Sequence, residues 1–257
     1  MIIVDADCHI SPTFENGNSL TIEELITRMD DANVQQAITW VQPPYLRNRI
    51  IEGNKYVYKA TQTYPNRILG FGWADPRLGV DHAIELVKRC IEEYGFFGVK
   101  LNGAQNEFPI DDEIISLPVI EEIAKLGSRI AFHIGADSYN NTHPFRLAKI
   151  ADRFPSTTIL AIHMGGASFN DLSSAMIEVA EKYHNILLIG SAIRSVPIIN
   201  AVERLGSTRI CFGSDTPFEL MNVEVNKYFS IFNNRISEKD LSLIMGKNIL
   251  KEFNLIS

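Results

Sequence analysis

Asp7 and His9 stand two apart in the opening stretch Met1–His9, directly after the apolar run Ile2, Ile3 and Val4. On a strand, residues two apart point the same way, so these two share a face and Cys8 takes the opposite one. A carboxylate and an imidazole side by side at a strand end form half of a divalent-metal site, lacking only ligands from elsewhere in the chain. A buried, hydrogen-bonded Asp–His pair is the equally simple alternative. More polar residues close later apolar runs: Lys100 and Asn102, then His133, His163 and Asp215. Of six histidines in the chain, three stand at such ends.

Those residues need elements to carry them. Short apolar, β-branched runs occupy Ile2–Asp7, Gln36–Val41, Ile68–Ala74, Phe97–Leu101, Arg129–Ile134, Thr158–His163, Ile186–Gly190 and Ile210–Ser214. Continuous apolar runs, as opposed to alternating ones, suit parallel strands covered on both faces. Helical spacing fills the gaps. In Thr21–Ala32, Ile22, Leu25, Ile26 and Met29 follow a 3–4 rhythm, and Thr21 with Glu24 has the form of a capping box. Asn54–Tyr64, Asp81–Tyr94, Leu117–Leu126, Pro144–Phe154, Asp171–Tyr183 and Pro197–Leu205 read as helices too, and Glu219–Phe232 and Ser237–Phe253 supply an eighth and an extra C-terminal one. Eight strands alternating with helices predict a closed (β/α)8 barrel, residues 1–257 forming one domain. An open doubly wound sheet would carry a glycine-rich phosphate turn after an early strand, and none is present. In a barrel all C-terminal strand ends converge on one mouth, which favours a metal site over a purely structural network.

The bulk composition narrows the partners. The chain has 257 residues, 46% of them hydrophobic, with 24 basic and 31 acidic residues giving a net charge of −7. Scattered charge of that sign argues against nucleic acid. Three cysteines, Cys8, Cys90 and Cys211, form no close-spaced pair, as in a reduced protein. No apolar run approaches the ~18 residues of a membrane span and no leader is recognisable, so a soluble, cytoplasmic protein acting on a small molecule is expected.

Asp7-Cys8-His9, Phe97-Gly98-Val99-Lys100-Leu101, Phe132-His133, Phe154-Pro155 leading to Ala161-Ile162-His163-Met164-Gly165-Gly166, and Phe212-Gly213-Ser214-Asp215-Thr216-Pro217 together resemble the amidohydrolase superfamily. The nearest likeness is to its amidohydrolase-2 branch, which holds aminocarboxymuconate-semialdehyde and resorcylate-type decarboxylases beside lactone hydrolases. The resemblance runs in order through essentially the whole chain. It implies that Asp7, His9, His133 and Asp215 ligate one divalent ion, with His163 next to it as a catalytic imidazole. The first-strand pair of the family is commonly HxH, and here Asp7 takes the first place. A carboxylate hardens the site, so Zn²⁺ is the first expectation and Mn²⁺ its rival. Lys100 corresponds in place to the strand-four lysine that bridges two metals in some relatives. The one-metal pattern is expected here, with Lys100 as a substrate contact or an interior lysine paired with Asp5 or another acid. The branch also suggests a homodimer.

A metal with an open position makes hydroxide available near neutral pH, and Asp215 would shuttle its proton while His163 donates to a developing oxyanion. The sequence therefore leads to a hydrolase of a small amide or lactone. Non-oxidative decarboxylation of an unsaturated or aromatic acid uses the same parts and stands second, because the chain is compact beside the long insertions usual in such decarboxylases. A barrel that binds without turnover is third. Arg47 and Arg49, in the proline-stiffened loop after the second strand, with Lys100 and Asn102, are candidates to hold a substrate carboxylate.

Overall fold

The computed structural model describes residues 1–13, 19–42, 49–135, 137–167 and 172–256. Eight strands follow one another around a single sheet in chain order: β1 Val4–Ile10, β2 Gln36–Val41, β3 Ile68–Ala74, β4 Gly98–Leu101, β5 Arg129–His133, β6 Ile159–Ile162, β7 Ile186–Ile189 and β8 Ile210–Cys211. Every adjacent pair is parallel. Backbone bonds close the ring between its ends: Ala6 N–H donates to Phe212 O (3.0 Å), Asp215 N–H to Asp7 O (2.9 Å) and His9 N–H to Thr216 O (2.8 Å). The chain is a (β/α)8 barrel, as its alternating pattern predicts.

The intervening helices are α1 Ile22–Asp31, α2 Ile50–Thr63, α3 Val80–Lys88, α4 Leu117–Lys125, α5 Tyr139–Thr142, α6 Pro144–Arg153, α7 Ser173–Lys182, α8 Ser195–Leu205 and α9 Met221–Phe232. The Thr21–Glu24 capping box opens α1, with both reciprocal bonds made. His143 caps α6 by accepting from Phe145 N–H, so it belongs to the helix entry. The long C-terminal helix expected over Ser237–Phe253 is broken into α10 Glu238–Ser242 and α11 Asn248–Glu252 by a wider turn over Leu243–Lys247. The break lets Gly246 lie against the start of β1, where a Cβ would sit 2.9 Å from Ile2 O and Val4 N. Phe253 then stacks on Phe97 under the barrel floor, with ring centroids 4.7 Å apart.

Four strands end sooner than their apolar runs suggest: β5 at His133, β6 at Ile162, β7 at Ile189 and β8 at Cys211. Beyond the last three the backbone turns sharply: His163, Ala192 and Asp215 have φ of 65°, 50° and 65°. Left-handed backbone is costly for residues with a Cβ and clusters where side chains must be aimed. Here each such turn sits at the mouth.

Candidate active site

β1 carries a one-residue irregularity between Asp5 and Cys8: Asp5 pairs with Ala37, yet Cys8 pairs with Thr39. The extra residue shifts the parity of the strand. Asp7 and His9 face the interior, whereas Asp5 stays with Cys8, its Oδ1 accepting from Ser214 N–H (2.8 Å) and Asp7 N–H (3.1 Å). Burial pushes the Asp5 carboxyl up to about 7, against the pull of those bonds. Burial likewise holds the Cys8 thiol well above its ordinary range, which removes it as a nucleophile.

Register brings aromatic rings beside the polar groups. His9 pairs with Trp40 across β1–β2, and Trp73 with Lys100 across β3–β4. The fully buried Lys100 ammonium lies 3.4 Å from Asp7 Oδ1, 3.9 Å from the Trp40 ring centroid and 5.5 Å from that of Trp73. Its partner is therefore Asp7 and not Asp5. Burial by itself would raise the Asp7 carboxyl, but the Lys100 ammonium beside it leads the groups that hold it well below the usual carboxylate range.

His9 Nε2 lies 3.3 Å from Asp7 Oδ1 and 3.4 Å from Asp215 Oδ1. Two donors about 2.1 Å from a shared ion stand about that far apart. His9 Nδ1 lies 3.3 Å from Val41 O, which fixes the proton there and leaves Nε2 bare, the form a metal takes. Trp40 Nε1–H donates to that same lone pair at 3.1 Å, so ligation requires the indole to give way. Ligand atoms of Asp7, His163 and Asp215 also fall within 4.8 Å of one another. His133 joins through His163, with ring centroids 4.7 Å apart. Its buried Nε2 makes no hydrogen bond, Asp137 Oδ2 lying 3.4 Å away but outside hydrogen-bond geometry. Burial pushes its pKa down to about 4, so at neutral pH the ring is uncharged and ready to ligate. Carboxylates and bare imidazole nitrogens converging with an orphaned ring nitrogen fit a divalent cation.

A cavity of about 440 Å³ opens on this cluster, lined by His9, Lys100, His133, His163 and Asp215 at the strand ends and by Phe218 and Glu219 beyond β8. Asn102 also lines it, but its Oδ1 accepts from Ala104 and Gln105 N–H and so shapes its own turn. Arg49 is not among the lining residues and donates to Thr13 Oγ1 at 3.0 Å; Arg47 lies outside the described residues. Trp40, Ser191 and Phe218 were not marked by the sequence. Only Ser191 carried a usable signal, its place just past a strand end.

A parallel barrel with a cluster of polar side chains at its C-terminal mouth has the layout of a barrel enzyme, and this cluster offers the donor types that suit a divalent cation. The chain belongs to the amidohydrolase family, whose model (Amidohydro_2) matches residues 4–255. It is 25% identical over 248 residues to gamma-resorcylate decarboxylase of Polaromonas sp. strain JS666, covering 79% of this chain and 75% of that one. It is 27% identical over 119 residues to 2-amino-3-carboxymuconate-6-semialdehyde decarboxylase of Dictyostelium discoideum, covering 44% of this chain and 32% of that one. Among solved structures, dihydroxybenzoic acid decarboxylase from Polaromonas sp. JS666, with bound manganese and 2-nitroresorcinol, superposes with a TM-score of 0.77 at 20% identity, over 99% of this chain and 97% of that one.

These relatives overturn the expected hydrolase. Both curated ones are decarboxylases, which outweighs the argument from compactness. The physical reason for the misreading is that one ligand set serves both reactions. Among the described residues no helix is long and apolar enough to cross a membrane.

Proposed function

We propose that this protein is a metal-dependent, non-oxidative decarboxylase of a small aromatic or unsaturated carboxylic acid. The observation that carries the reading is the alignment with a resorcylate decarboxylase across 79% of the chain, supported by a cavity lined by imidazole, carboxylate and ammonium groups. Asp7, His9, His133 and Asp215 would hold the ion, with His163 beside them. Mn²⁺ is preferred to Zn²⁺, because two of the four are hard carboxylates and the structural relative is described with manganese. When bound, the ion supplies positive charge that steadies the substrate's oxygens and the electron pair left on carbon as CO₂ departs.

The chain's own groups do the rest. Lys100 adds a buried positive charge to the cavity lining, suited to draw in a substrate carboxylate. Asp215, its side chain 14% exposed and facing the cavity, is placed to carry a proton to the carbon that loses CO₂. The C–C bond breaks, its electron pair stays on the ring carbon and takes that proton, and Asp215 is left ionised until solvent reprotonates it. Phe218 stands edge-on to His9 with centroids 5.5 Å apart, offering an apolar wall for a flat substrate.

The test is direct. Protein loaded with Mn²⁺ is assayed for CO₂ release from hydroxybenzoates and unsaturated acids, alongside lactone and amide panels. CO₂ release from a member of the acid panel is expected. Turnover of lactones or amides with no CO₂ from any acid would remove the proposal.

A further inference from the structure

Ser191, just past β7, is fully buried and touches two functional groups at once. Its hydroxyl lies 2.5 Å from Asp7 Oδ2 and 3.1 Å from His163 Nδ1, and its backbone oxygen lies 3.2 Å from that same nitrogen. Counting protons decides which atoms donate. A carbonyl oxygen and an ionised carboxylate can only accept. The single hydroxyl proton of Ser191 therefore goes to Asp7, and His163 Nδ1 must carry the proton that faces the Ser191 oxygens. A neutral imidazole protonated at Nδ1 has a bare Nε2. In this form His163, which lines the cavity, accepts a proton there and does not donate to an oxyanion.

The turn bearing Ser191 is held from outside the barrel. Tyr228 of α9 donates its hydroxyl to Gly190 O at 2.8 Å, and Lys227 donates to Ile193 O at 2.9 Å. Any Cβ at residue 190 would stand 1.9 Å from the Tyr228 hydroxyl, so only glycine admits this clamp. Ala192 follows with its left-handed φ of 50°. The backbone is thus set before the Ser191 side chain makes its contacts.

We propose that Ser191 is a positioning residue for the metal centre: its hydroxyl holds Asp7 in the orientation that ligates, and its carbonyl fixes His163 as the tautomer with a bare Nε2. The role rests on the metal-centre reading above and is independent of which reaction the centre performs.

The experiment titrates Mn²⁺ into chelator-stripped wild-type protein and S191A, with S191C as a near-isosteric variant that keeps a weak donor. Loss of an outer partner of a metal ligand weakens binding about 10–100-fold, and that is the expectation for S191A, with S191C between it and wild type. Melting in chelator reports whether each variant folds; if S191A does not, S191C carries the comparison. The ¹⁵N shifts of His163 should show Nδ1 protonated and Nε2 bare in metal-free wild type, and in S191A too, because the carbonyl remains. Wild-type affinity in both variants, a proton on Nε2, or failure of wild type to take up Mn²⁺ would each overturn the role. Wild type that binds Mn²⁺ yet releases no CO₂ from any acid would remove the proposed reaction and leave Ser191's role standing.

Discussion

Asp7 and Lys100, 93 residues apart in the chain, meet as a buried ion pair 3.4 Å apart inside the barrel. With the ammonium gone, the metal-free site would hold Asp7 and Asp215 with no fixed positive charge between them. K100M should cost about 3–5 kcal/mol of stability in chelator, the usual loss when one partner of a buried pair is removed. Mn²⁺ should shrink that deficit by supplying charge to the same carboxylates. Denaturant melts of both proteins, with and without the ion, measure it.

Asp215 is the group placed to give its proton to carbon. D215N at saturating Mn²⁺ should lower CO₂ release about 10²–10⁴-fold, the range for loss of a positioned acid. Single-turnover assays separate this from weakened ion binding. An Asn variant as fast as wild type would remove Asp215 from the proton transfer.

Phe218 is 42% exposed and walls the cavity beside His9. If a flat ring packs against it, F218A should raise KM for aromatic acids about tenfold, the equivalent of about 1.4 kcal/mol of aromatic contact. Aliphatic unsaturated acids should bind the variant much as they bind wild type. Competition binding with the two classes decides.

Gly190 and Tyr228 test the clamp behind the mouth. Y228F removes a buried hydrogen bond and should cost about 1–2 kcal/mol. G190A, which forces the phenol away, should cost more, about 2–4 kcal/mol. Because both changes break one contact, the double mutant should be much less unstable than the sum.

Asp111 links the segment after β4 to α6 through Arg146 and through Lys149, whose Nζ lies 2.8 Å from Oδ2. Burial would raise the carboxyl, but the bonds from Lys149 and Arg146 prevail and hold it below its ordinary value. A carboxyl whose pKa falls on folding stabilises the fold above its unfolded pKa, and that contribution is lost as pH drops through the folded value. D111N should therefore be about 1 kcal/mol less stable than wild type at pH 7, with the gap closing below about pH 4. Urea melts across that range check the sign.

Local pattern carried much of this molecule. The eight strands and the α1 capping box are properties of neighbours along the chain, and apolar runs bounded by turn residues reported them directly. Asp7, His9, His133, His163 and Asp215 were legible as a group for a related reason, since each lies within or beyond a strand whose C-terminal end a parallel barrel sends to one mouth. The short β8 and the break in the C-terminal helix were not legible. Both depend on how the chain end packs under β1, where Gly246 replaces helical continuity with a close backbone contact.

What only the tertiary structure decided is who touches whom at that mouth. The irregularity in β1 sends Asp5 outward and hands Lys100 to Asp7; strand register sets Trp40 against His9; and Ser191 reaches Asp7 across 184 residues. Arg49, drawn to the site by residue type, turns instead to Thr13. Spacing along a chain encodes which face a side chain takes, because the strand period is local. Distances between faces come from register, twist and the closure of the ring, which involve all eight strands at once and are written at no single position.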